Sequence, residues 1–167
     1  MSLVHIVLGL VALQRLGELA LAARNTRHLL AAGAVELDAG FYPFFVLLHG
    51  AWLVSLALFV PASAAASWPL LAVFAALQLG RLWVIASLGR YWTTRLIVPP
   101  DRPPVTGGPY RFLRHPNYLI VIAEIAILPL AFGAMTIAAV FSAANLALLA
   151  RRIAIEERAL APRRRQA

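Results

Sequence analysis

The sequence predicts an all-α, polytopic membrane protein of about five transmembrane helices, and three observations carry that prediction. Of its 167 residues, 62% are hydrophobic and only 13% charged, where a soluble domain carries roughly 25% charged residues. The apolar residues gather in runs close to the roughly 20 residues needed to cross about 30 Å of hydrocarbon. The basic residues fall in alternate connections between those runs. A mean hydropathy of +0.80 excludes a water-soluble globular domain and a disordered tail alike. Cysteine is absent, which removes disulfides, thiolate metal ligands and a cysteine nucleophile; no metal site is expected.

The first run spans about Leu3 to Ala23, broken by Arg15 and Glu18. It lacks the basic n-region of a signal peptide and carries charges in its second half. The second runs from Phe41 to Ala62, and the third from Trp68 to Leu88 with Arg81 inside it. Tyr118–Phe132 and Ala134–Ala150 follow as a helical hairpin parted by Pro129 and Gly133. At 15 and 17 residues, these two require a tilt or a thinned bilayer. His5 and His49 read as structural residues, and Gln78 and Asn145 as hydrogen-bond partners between helices. The four tryptophans fall mostly near span ends, as an interfacial belt would place them.

Arginines supply the orientation. Arg24 and Arg27 lie in 24–40; Arg90, Arg95, Arg102, Arg111 and Arg114 lie in 89–117; Arg151, Arg152, Arg158, Arg163, Arg164 and Arg165 lie in the tail. The connections near 61–67 and 133 hold none. Five spans put all three basic segments on one side, so the N-terminus is expected outside and the C-terminus cytoplasmic. The net charge of +8 is then a topology signal, and no nucleic-acid partner is expected. No internal repeat is visible, which argues against a carrier. The chain reads as one membrane domain over 1–167, with three N-terminal spans in 1–88 and the chemistry in 89–160.

Ionisable residues inside spans are costly and either pair or line a cavity. Arg15, Glu18, Arg81 and Glu124 fall at comparable depth below the basic surface. Two readings stand: a buried pocket in which Arg81 and Glu124 face a substrate, or a neutralised cluster that joins the first, third and fourth helices.

The segment 89–117 is proline-rich, with Pro99, Pro100, Pro103, Pro104, Pro109 and Pro116, so no continuous helix can form there. A lipid-headgroup anchor needs only positive charge. Gly107-Gly108-Pro109-Tyr110 followed by Arg114-His115-Pro116-Asn117-Tyr118 offers more: freed backbone N–H groups beside Arg and His suit an anionic group. Further on, Arg152 and Glu156 share a helix face, with Glu157 beside it. Basic loop and acidic helix together suit a zwitterionic ligand at the cytoplasmic membrane surface.

Those residues resemble the isoprenylcysteine carboxyl methyltransferase family: Thr106-Gly107-Gly108-Pro109-Tyr110-Arg111, the Arg114–Tyr118 run, and Glu156-Glu157 about 40 residues later. The Leu88–Arg95 run is similar to the small bacterial branch, some of whose members are linked to O-methylation of alkylpyrone-type lipids. The resemblance implies S-adenosylmethionine as cofactor, bound without a Rossmann domain, and a bacterial inner membrane location. It implies a cofactor site made by Gly108, Pro109, Tyr110, Arg114, His115, Pro116 and Tyr118 with Glu156 and Glu157. It places Arg152 near the reacting acceptor. Methyl transfer from a sulfonium is an in-line displacement, in which the protein aligns groups and excludes water. No second histidine is available as a base in the predicted site, so a carboxyl or an acidic hydroxyl is the expected acceptor, steered by Arg152 or Arg95, with Trp92 as a further substrate contact. Its prenyl or long acyl chain would enter from membrane lipids. The alternatives are an N-methyltransferase of phosphatidylethanolamine type and a non-enzymatic membrane scaffold. Nothing in the pattern sets an oligomeric state.

Overall fold

A computed structural model describes residues 2–100 and 105–164. Arg102, Pro103, Pro104 and Arg165, counted above, lie outside the described residues. Five helices follow in order: α1 (Leu3–Ala31), α2 (Tyr42–Phe59), α3 (Trp68–Leu88), α4 (Pro116–Ala131) and α5 (Met135–Arg164). Four are long and apolar enough to cross a membrane, and α4 is a shorter apolar helix. Its 16 residues reach about 24 Å, short of a full span as the sequence led one to expect.

Helix ends are set by glycine. Gly33 takes φ +86° and Gly133 φ +73°. In both places the residue after the glycine bonds back five positions, Ala34 to the Leu29 carbonyl and Ala134 to that of Pro129, at 3.0 and 2.9 Å. These are Schellman closures. No breaker precedes Gly33, so α1 runs eight residues beyond the expected end at Ala23.

The all-α class holds with one addition. Val35–Leu37 (β1) and Leu96–Val98 (β2) pair antiparallel, Glu36 opposite Ile97. Each strand is three residues long, too short to show the alternation by which a strand is read in sequence.

α4 packs between α3 and α5, and α2 packs on α1 and α5. The main core joins Val4, Leu8 and Val11 to Trp52, Leu56, Phe74, Ile125 and Leu128. Trp52 is thus a core residue and not part of an interfacial belt. Leu10, Leu13, Leu47, Leu58 and Leu79 remain exposed, an apolar surface of the kind a bilayer covers.

The intramembrane charges close on one another. Glu124 accepts from Arg15 at 2.7 Å, from Gln78 at 2.8 Å and from Arg81 Nε at 3.0 Å, with a second close contact to Arg81 Nη2. Glu18 accepts from Arg15 at 2.8 Å and from Gln14 at 2.9 Å. Gln14 also reaches Gln78 at 2.9 Å. Two arginines and two carboxylates neutralise one another across α1, α3 and α4, a pairing that both sequence readings allow. Asn145 differs from expectation: it is fully buried, and neither amide atom has a partner among the described residues.

Candidate functional site

The basic ends of the helices meet at one end of the bundle. Asn25, near the end of α1, donates to the Trp92 carbonyl at 2.8 Å and ties α1 to the chain leaving α3. Trp92 itself is buried with Ala22 and Val84, so its ring packs in a small second core.

Gly108 opens a 3₁₀ turn, Gly108–Arg111, with φ +60°. A Cβ there would overlap the Ser87 side chain, lying 2.9 Å from Ser87 Cβ. The glycine is required because the loop crosses the end of α3 in contact and in a left-handed conformation. Pro109 is buried behind it. Pro116 starts α4, where a missing N–H costs nothing, and His115 is the residue before it.

From α4, the residue before it and α5, five side chains interlock. His115 Nε2 is 2.6 Å from Glu157 Oε1; a carboxylate only accepts, so Nε2 carries the proton. Tyr118 donates to Glu156 Oε2 at 2.5 Å and accepts from Arg152 Nε at 3.0 Å. The His115 and Tyr118 rings stack with centres 5.3 Å apart. Tyr110 lies close enough to be affected by Glu156: burial, and then the Glu156 charge, push its phenol up to about 12. Arg114 is exposed.

Beyond Arg152 lies a shallow concavity, open to solvent and with room for little more than a water molecule, walled by Leu37, Asp38, Phe41, Tyr42, Phe45 and Leu96. Three arginines stand over three of the aromatic rings around it: Arg151 on Phe41 at 4.3 Å, Arg95 on Tyr42 at 4.6 Å and Arg152 on Phe45 at 5.2 Å. Arg95 is also bonded to Glu36 at 2.8 Å, and Arg151 to both oxygens of Asp38 at 3.1 and 2.7 Å. The Arg151 hydrogen bond holds the Asp38 carboxyl below the ordinary carboxylate range. Arg152 alone of the three has no carboxylate partner among the described residues.

The structure therefore gathers His115, Tyr118, Glu156, Glu157, Arg152 and Tyr110, with Gly108, Pro109 and Pro116 shaping the loop that carries them. It places Arg95 beside the β1–β2 pair, over the Tyr42 wall of the concavity and bonded to Glu36, and Arg81 and Glu124 in the network between α1, α3 and α4. Sequence reasoning missed Asp38, Phe41, Tyr42 and Phe45; the aromatic run Phe41-Tyr42-Pro43-Phe44-Phe45 was the visible signal. It also missed Asn117, whose Oδ1 is buried without a hydrogen-bond partner among the described residues.

Apolar helices around a polar, hydrogen-bonded cluster at one end define an integral membrane protein. The model of the isoprenylcysteine carboxyl methyltransferase (ICMT) family matches residues 70–162. An uncharacterized protein of Bacillus subtilis (strain 168), YpbQ, is 35% identical over 159 residues, covering 93% of this chain and 95% of the relative. No solved structure matches. The chain belongs to the ICMT family, a family of membrane methyltransferases.

Proposed function

We propose that the chain is an S-adenosylmethionine-dependent O-methyltransferase acting on a carboxyl or acidic hydroxyl of a prenylated or long-chain lipophilic acceptor. The carrying observation is the pairing of His115 with Glu157 and of Tyr118 with Glu156, which brings the family's loop and its glutamate pair together beside a guanidinium free of carboxylate. The residues fit the cofactor: two carboxylates can accept from an ammonium or ribose hydroxyls, His115 and Arg114 can meet a carboxylate, and the orphaned Asn117 acceptor lacks a donor.

When bound, the cofactor supplies a methyl already activated on a sulfonium; the acceptor oxygen forms the new C–O bond as the S–C bond breaks. The chain's own contribution is placement. Glu156 and Glu157 are fixed by Tyr118 and His115, and Arg152 is fixed by Tyr118, so the two halves of the site are set by one phenol. Arg152 holds an anionic oxygen in the concavity and would repel an ammonium, which favours O- over N-methylation. An ionised carboxyl or low-pKa hydroxyl needs no base. On this reading the arginine-rich connections face the cytoplasm, as the positive-inside rule favours, the N-terminus lies outside a bacterial inner membrane, and the acceptor's chain comes from the bilayer.

The test is calorimetry of S-adenosylmethionine with the purified chain, beside Glu156→Ala and His115→Ala. Binding by the parent and loss in both variants, each with unchanged helical content, is expected. Parent-level affinity in Glu156→Ala, or no binding by the folded parent, would refute the reading.

A further inference from the structure

We propose that the turn Asp38–Phe41 is a gate over the Arg152 concavity, latched by Arg151, and that it opens to admit the acceptor's anionic head. The inference rests on the methyltransferase reading for the acceptor's identity, though the gate itself stands on geometry.

Asp38 and Phe41 both wall the concavity, and both are held by the same residue. Arg151 bonds the two Asp38 oxygens at 3.1 and 2.7 Å and stands 4.3 Å from the Phe41 ring centre. Adjacent residues on a helix point about 100° apart, so Arg151 faces the turn while Arg152 faces the interior of the site. One arginine closes the cover and its neighbour serves what lies beneath it.

The turn is built to be released. Asp38 takes φ +54°, a left-handed conformation that aspartate adopts in turns more readily than most residues, and its carboxylate is tied to Arg151. Gly40 sits within the turn, with nothing within 4 Å of its Cβ position, so the turn is not packed against a neighbour there. The Arg151 side chain is 53% exposed, which keeps the latch weak and salt-sensitive. The other ties stay behind when the turn moves: Glu36 pairs with Arg95 inside the hairpin, and Tyr42 bonds Thr94 at 3.0 Å. An anionic head arriving near the latch competes with Asp38 for Arg151 and passes on to Arg152.

Because the chain has no cysteine, single reporters at Phe45→Cys or Leu96→Cys, both on the concavity wall, read its accessibility directly. The probes are two methanethiosulfonates of similar size, one ending in sulfonate and one in trimethylammonium. Adding Arg151→Gln is expected to raise the sulfonate reagent's rate roughly two- to fivefold, the range an exposed ion pair can hold back. The exchange Asp38→Arg with Arg151→Asp is expected to restore the slow rate. The sulfonate reagent should outpace the ammonium reagent, and Arg152→Gln should erase that preference. Equal rates with and without Arg151 at both reporters would overturn the gate. Absence of a sulfonate preference would overturn its role in admitting an anion. S-adenosylmethionine affinity measured on the same samples separates the two readings: Arg151→Gln should leave it unchanged, and loss there would make the turn part of the cofactor site and overturn the gate. If even the parent binds no cofactor, the methyltransferase reading fails while the thiol rates still judge the gate.

Discussion

Replacing Glu124 by Gln should cost more stability than any other single uncharging in the bundle, and the structure sets the size. Glu124 is 1% exposed and accepts from Arg15, Arg81 and Gln78. Uncharging it leaves two guanidinium groups facing one carboxylate, Glu18. Breaking a buried ion pair from one side typically costs about 3–5 kcal/mol, because the remaining charge stays desolvated. Neutral hydrogen bonds between membrane helices are worth far less, about 0.6 kcal/mol on average. The double variant Glu124→Gln with Arg81→Gln keeps the Arg15–Glu18 pair at 2.8 Å and restores neutrality, so its cost should fall to about 1–2 kcal/mol, roughly 2–3 kcal/mol less than the Glu124→Gln single variant. Reversible unfolding in mixed micelles of increasing SDS fraction measures all three proteins. A Glu124→Gln chain within about 1 kcal/mol of the parent, or a double variant as damaged as the sum of the singles, would refute the argument. A stable single variant with a raised KM would instead make the cluster the substrate pocket of the first sequence reading.

Gly108→Ala should destabilise the loop by about 2–4 kcal/mol, from the positive φ and the overlap with Ser87; pairing it with Ser87→Gly should recover part of that loss in the same unfolding assay, and no recovery would show that φ alone decides. Tyr110 should ionise late: its folded value of about 12 lies above the ordinary 10.0. The neutral phenol is the favoured form, so its contribution to stability is complete below pH 10 and lost as pH rises through about 12. Ultraviolet titration of the tyrosinate band should show that step missing in Tyr110→Phe, and an unchanged curve would contradict the burial argument.

Much of this protein is legible in the sequence because its strongest signals are local. Hydropathy marks the spans, since each helix must satisfy its own backbone in hydrocarbon. Gly133 marks a helix end with the one residue type that turns left-handed freely, whereas the end of α1 at Gly33 lies well beyond the apolar run that stops at Ala23. The loop motif and the glutamate pair are likewise readable as letters at a spacing. What the sequence could not supply is which groups meet. The β1–β2 pairing joins two three-residue strands across about sixty residues, and no short window contains it. The same holds for Asp38, an unremarkable acid until the fold sets it against Arg151. Arg151 and Arg152 are indistinguishable as letters. Only the packing of α2 against α5 gives one a carboxylate and leaves the other beside Tyr118, because a charge's chemistry is decided by its partners in space.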